Sequence, residues 1–286
     1  MIQELNYYLP NSLNDVYTQL QNENHKPLAG ATDIIPRLRR SKQPVDTLVD
    51  ISRLAGLDFI REVDGEIQIG ALATHRNMIE AGLLQNLAVS LTEAAVSIGC
   101  PQTRNRGTLG GNIANASPAA DTLPPLLIHD AVVHLGSMHG ERTLPLSQFL
   151  QGPGKTGLEI GELILYLSLQ KLPCYGSAFA KLGKRNGMAI SVASAAVACT
   201  LDSEGRFSDV RIALGSVAPT AVRSPHAEQI LAGEVPGEDL FAAAQKAVQL
   251  DISPIDDVRS SADYRRTAAA TLLVEAVRLA LRRVEK

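Results

Sequence analysis

Residues 103–127, TRNRGTLGGNIANASPAADTLPPLL, put a glycine pair, asparagines and an aspartate into one stretch. Glycine permits φ > 0 and close backbone approach, so Gly110 and Gly111 could turn successive N–H groups toward one anion, and a phosphate is the natural guest. Thr108 and Asn112 add side-chain donors, while Asn115, Ser117 and Asp121 continue a polar edge able to read a ribose or a ring. A tight turn between packed elements would explain the same pair. A second segment, LAGATDII over 28–35, sets Gly30, Thr32 and Asp33 side by side, with Asp33 placed to cap a following helix. Two such loops, far apart in sequence, can grip one pyrophosphate from two sides, which points to a dinucleotide.

Other chemistries are poorly supported. No GxGxxG follows a first strand, so a Rossmann site is not indicated. LQGPGKT ends like a P-loop, but Phe149 stands where that motif needs its first glycine, and Lys155 reads as a solvated turn residue or a structural contact. Cys100, Cys174 and Cys199 are odd in number, far apart and without a CxxC, which excludes a disulfide framework and any cluster site built from them alone. His129 and His134 have no third ligand nearby and read as structural. Neither a metal site nor a catalytic side chain is expected on this chain.

The elements that must hold these loops read as α+β. A chain of 286 residues with 45% hydrophobic content can bury a sizeable core. Its 27 basic and 30 acidic side chains show no block that would mark a nucleic-acid face. The start, MIQELNYYLPNSLNDVY, lacks a signal-peptide pattern, and the longest nearly apolar run, Ala189–Leu201, is shorter than the ~20 residues of a membrane helix. A reducing cytoplasm fits best. Ser12 caps a short helix with Leu13, Val16, Tyr17 and Leu20 on one face. KPLAGATDIIPRLRR reads as strand, turn and short helix, DTLVDIS and EIQIGALAT as strands, and Leu83–Ile98 as one helix. DAVVHLGS and GELILYLSLQK are strand-like, with the turn-rich LQGPGKTG between them. A second unit begins near residue 175, with the run Ala189–Leu201, the strand-like FSDVRIALGSV and two late helices, the last over about Ala268–Val284. SADYRR reads as a helix entrance whose arginines serve packing or subunit contacts.

LAGATDIIPRLR, GCPQTRNRGTLGGNIANASPAADTLPPLL, FAKLGKRNGMAISVASAAVA and SSADYRRTAAATLL together resemble the FAD-binding medium subunits of the molybdenum hydroxylases, the xanthine dehydrogenase and carbon monoxide dehydrogenase family. The likeness spans nearly the whole chain, and its most specific string is RNRGTxGGN followed by ASPxAD. It implies an N-terminal FAD-binding domain of the vanillyl-alcohol-oxidase (PCMH) type over 1–174. A smaller α+β domain like the CO dehydrogenase flavoprotein C-terminal domain would follow over 175–286.

The resemblance assigns one pyrophosphate loop to Leu28, Ala29, Gly30, Ala31, Thr32, Asp33, Ile34 and Ile35, and the other to Thr108, Leu109, Gly110, Gly111 and Asn112. It lays Ile98 against the cofactor and Ala114 near the isoalloxazine edge, and it gives Asp121 the place of an FAD-binding aspartate. Ile164 matches a backbone contact to the flavin or its adenine end, and Lys181 a lysine on the second domain that reaches the cofactor. From spacing alone Lys181, Lys184 and Arg185 would read as a solvated basic face. Ala31 stands where many members carry a second glycine, so it must tolerate that loop's backbone angles.

What the family implies is an exit station for electrons. FAD would be held non-covalently here, with iron–sulfur clusters on a small partner subunit, the molybdenum cofactor on a large one, and NAD as a possible final acceptor. GPGKT and SPHAEQ lean toward the three-subunit bacterial xanthine dehydrogenases. Nicotinate, aldehyde, aromatic-thioester and carbon monoxide oxidation are the alternatives inside the family. A self-contained FAD oxidase and a non-catalytic nucleotide-binding regulator are the alternatives outside it.

Overall fold

The computed structural model describes residues 4–40, 44–172, 175–185 and 187–284. Cys174, and with it the expected unit boundary, lies outside the described residues.

Strands β1 (Asn6–Tyr8), β2 (His25–Leu28) and β3 (Thr47–Asp50) make a small parallel sheet in the order β1-β3-β2. Helix Leu13–Leu20 connects the first two, as its spacing predicts. Ser12 Oγ accepts from the Asp15 N–H at 3.2 Å, and Val16, Tyr17 and Leu20 are buried.

Strands β4 (Ile60–Val63), β5 (Glu66–Gly70), β6 (Val132–Ser137) and β7 (Gly140–Pro145) precede a short hairpin, β8 (Leu150–Gly152) and β9 (Lys155–Thr156). β10 (Leu163–Gln170) then returns to the middle of an antiparallel sheet ordered β4-β5-β10-β6-β7. Lys155 sits exposed in the hairpin, as the sequence suggests. His129 and His134 are structural: Nδ1 of the first meets the Gln170 carbonyl at 2.9 Å, and Nε2 of the second meets Ser168 Oγ at 3.0 Å.

The segment expected as one helix over Leu83–Ile98 is two, Gly82–Leu87 and Val89–Ser97. The chain leaves helical geometry at Ala88, with φ −145° and ψ 52°. No Gly or Pro announces this break. Ala88 is fully buried between Leu84 and Leu91 in one core, and that packing overrides a local preference worth under about 1 kcal/mol per residue.

The rest of the chain forms a second antiparallel sheet, β11 (Gly176–Gly183), β12 (Ser191–Leu201), β13 (Phe207–Gly215) and β14 (Val222–Arg223), in that order. Ala196, Ala198 and Ala213 on one face belong to the core of the preceding unit, whereas Ala193, Ala195 and Val197 on the other pack under the late helices. A strand covered on both faces needs no polar alternation, so its sequence is a nearly apolar run in which Ser191, Ser194 and Thr200 are the polar residues. The last helix is Ala262–Leu281, beginning earlier than Ala268 because Ser261 caps it, accepting from the Tyr264 N–H at 3.2 Å. This helix lies so close to β11 that a Cβ on Gly176 would stand 1.9 Å from the Ala280 carbonyl oxygen. SADYRR is indeed its entrance. Buried Arg265 donates to the carbonyls of Val192 (2.8 Å) and Ser216 (2.9 Å), a packing role.

Candidate functional site

The first loop leaves β2 at Leu28 and enters helix Ile34–Arg40. Ala31 does adopt left-handed backbone, at φ 64°. Among the described residues, nothing accepts a hydrogen bond from the N–H groups of Ala29, Gly30, Ala31, Thr32 or Asp33. Unpaired donors survive only where water or a ligand can reach them, and this loop is half-buried to exposed. Gly30 faces the backbone of the second loop so closely that a Cβ there would lie 1.9 Å from the Arg106 carbonyl oxygen. Between the two loops lies a cleft lined in part by Ala29, Gly30, Ser52, Thr74, Arg106 and Thr108. Arg37 adds a strap across them, donating to Asn115 Oδ1 at 2.8 Å.

The second loop works differently from what its glycine pair suggests. Gly110 and Gly111 lie in the first turn of helix Leu109–Asn115, capped by Thr108, and neither has positive φ. The Leu109 and Gly110 N–H groups donate to the carbonyls of Ala73 and Ala71, each at 2.9 Å, and the Gly111 N–H donates to Thr108 Oγ1 at 3.2 Å. The pair therefore does not open a nest. Gly110 is required for packing, since a Cβ there would lie 2.7 Å from the Ala71 Cβ, whereas a Cβ on exposed Gly111 would meet only Thr108 Oγ1, at 3.0 Å. Among the described residues of the two loops, the backbone donors free for a ligand are those of Ala29–Asp33 and the N–H of Thr108.

Behind this loop stands His75. Its backbone N–H donates to the Gly107 carbonyl at 3.0 Å, and its ring lies against Gly107. Burial, helped by the Arg104 charge, pushes its pKa down to about 4, so the ring is neutral at pH 7.

A polar cluster lies further along the same segment. Asn112 Oδ1 accepts from Thr122 Oγ1 at 2.6 Å, and the neighbouring Asp121 is buried. Asp121 Oδ2 accepts from Lys181 Nζ at 2.5 Å and from Ser97 Oγ at 3.3 Å, while Oδ1 accepts from Ser191 Oγ at 2.5 Å. Lys181 Nζ also donates to the Ser97 carbonyl at 3.2 Å, so it is a mostly buried partner and not a solvated face. The structure thus brings Asp121 and Lys181 together beside Ser97, the chain neighbour of Ile98. Ala114 is exposed on helix Leu109–Asn115, whereas the Ile164 side chain is buried in the core on β10 and has only its backbone to offer. Sequence reasoning missed Ser97, Ser191 and Arg37, isolated residues with no spacing to mark them.

Unpaired donors around one cleft and a buried charged pair at another point suit a ligand with an anionic linker and a polar ring, which FAD is. Residues 3–169 match the family described as the FAD binding domain in molybdopterin dehydrogenase, and residues 178–280 match the CO dehydrogenase flavoprotein C-terminal domain. The chain belongs to this family. It is a FAD-binding subunit of the molybdenum hydroxylases, an oxidoreductase flavoprotein. The xanthine dehydrogenase FAD-binding subunit of Escherichia coli O157:H7 is 36% identical over 263 residues, covering 90% of each chain. Subunit alpha of the 6-hydroxypseudooxynicotine dehydrogenase complex of Paenarthrobacter nicotinovorans is 38% identical, over 90% of this chain and 87% of that one. Carbon monoxide dehydrogenase of Hydrogenophaga pseudoflava, in a form lacking the Mo-pyranopterin moiety of its cofactor, contains a chain that superposes with a TM-score of 0.95 at 32% identity, covering 100% of both. The medium-subunit fold of this flavoprotein is thereby shown. Among its described residues, no helix is long and apolar enough to cross a membrane.

Proposed function

We propose that this flavoprotein passes electrons from iron–sulfur clusters on a small partner subunit to NAD. A large partner subunit would hydroxylate a purine of the xanthine type at its molybdenum cofactor. The observation that carries the purine reading is the 36% identity to a xanthine dehydrogenase FAD-binding subunit over 90% of both chains. FAD, when bound, accepts electrons singly and releases them as a pair. The chain's own residues bind and orient it. The unpaired N–H groups of Ala29–Asp33 and Thr108 take the diphosphate, and the group around Asp121 and Lys181 takes the ring end. No His or Cys lies within Leu28–Ile35 or Thr108–Asn112, so the flavin is held without a covalent bond.

The test is anaerobic bleaching of the flavin in the purified chain. NADH should bleach it, and xanthine should leave it yellow until the two partner subunits are added. Rapid bleaching of the lone chain by xanthine would contradict this division of labour. Acid precipitation should release the colour into the supernatant.

A further inference from the structure

We infer that Ser191 is a positioning residue for the flavin ring, acting through Asp121 and Lys181. The inference rests on the reading that FAD binds here with its ring end at this pair. Ser191 opens β12 and is fully buried, and its hydroxyl donates to Asp121 Oδ1 at 2.5 Å. The other carboxylate oxygen holds Lys181 Nζ at 2.5 Å and Ser97 Oγ at 3.3 Å. Three separate pieces of chain therefore fix one carboxylate: the end of helix Val89–Ser97, β11 through Lys181, and β12 through Ser191.

The consequence follows from counting donors. An ammonium has three N–H groups and no acceptor. Lys181 spends one on Asp121 and one on the Ser97 carbonyl, leaving one for a ligand. While Ser191 occupies Oδ1, the lysine meets the carboxylate through Oδ2 alone. Without the hydroxyl, Oδ1 would be a buried charged acceptor lacking a donor, a costly state relieved when the carboxylate turns to take Lys181 on both oxygens. That turn withdraws the third N–H, and with it positive charge, from the ring. Added electron density on the ring would then be less well stabilised.

Ser191→Ala should therefore fold, bind FAD about tenfold more weakly, and show a shifted flavin absorption band and a more negative flavin midpoint potential. Ser191→Thr, which keeps the hydroxyl, should restore all three. Cys199→Ala, at an equally buried residue of the same strand whose partner on β11 is Gly176 and not Lys181, should change none of them. If Ser191→Ala is insoluble, Ser191→Cys, a weak donor of similar size, is judged by the same readouts. Wild-type FAD affinity and midpoint potential in the Ser191 variant would overturn the inference and leave FAD binding intact. An equal loss in the Cys199 variant would also overturn it, as the mark of a general packing effect. A wild-type chain that takes up no FAD would instead remove the functional reading beneath it.

Discussion

The two glycine loops look alike in sequence and do opposite physical work. Around Gly30 the chain withholds hydrogen-bond partners from Ala29–Asp33, and Ala31 takes a left-handed conformation. At Gly110 and Gly111 the backbone is regular helix and its donors are already used by Ala71, Ala73 and Thr108. One loop is an open array of donors. The other is a wedge in which the missing Cβ of Gly110 lets the helix sit against Ala71. A glycine-rich string therefore says that something comes close, and only the hydrogen-bond accounting says whether it is a ligand or the protein itself.

The contrast is broken most severely at Gly30. A Cβ there would push the two loops apart at Arg106, so Gly30→Ala should lower the melting temperature and, in the chain that stays folded, weaken FAD binding by about 100-fold, equivalent to about 2.7 kcal/mol. Flavin titration and thermal melts measure the two separately. Gly110→Ala should act on stability alone. Overpacking against Ala71 should lower stability by about 2–3 kcal/mol in denaturant unfolding, and flavin should be lost only as the fold is lost.

His75, behind the second loop, adds a pH response. Folded His75 takes a proton only at about 4, against an ordinary 6.5, so the unfolded chain binds more protons between those values. Stability is then complete above pH 6.5 and declines as the pH falls toward 4. Melting temperature against pH should show that decline, and His75→Phe should flatten it. Buried His129, shifted downward by the same desolvation, should preserve part of the slope. The smallest effect is expected at Ala31. Ala31→Gly removes a left-handed penalty of about 1–2 kcal/mol but loosens the unfolded chain by about 0.4–1 kcal/mol, so stability should rise by no more than about 1.6 kcal/mol with FAD affinity unchanged.

Much of this architecture is legible because local and global signals agree. Ser12 with its apolar spacing, the strand-like entry at KPL, the strand-like GELILYLSLQK and the nearly apolar Ala189–Leu201 all place real elements. The break at Ala88 is invisible because only core packing causes it, whereas SADYRR marks the entrance of the last helix, whose apolar spacing becomes regular only from about Ala268. At the site, composition distinguishes the two loops as places of close approach. It does not show that Asp121 and Lys181 pair, since those residues lie sixty apart and meet only when β11 docks on the first unit. Ser191 and Ser97 are ordinary serines until a buried carboxylate lies beside them.

The sheet β11–β14 has one face in each of two cores, so it is a party wall between units that match separate families. Stripping the first unit away would bare Phe179, Ala196, Ala198 and Ala213 on the sheet, and stripping the second would uncover the core that those residues close. Neither half has a finished exterior of its own at that seam. Two stretches that read as separate domains therefore form a single cooperative folding unit, expected to melt in one transition and to resist being expressed as halves.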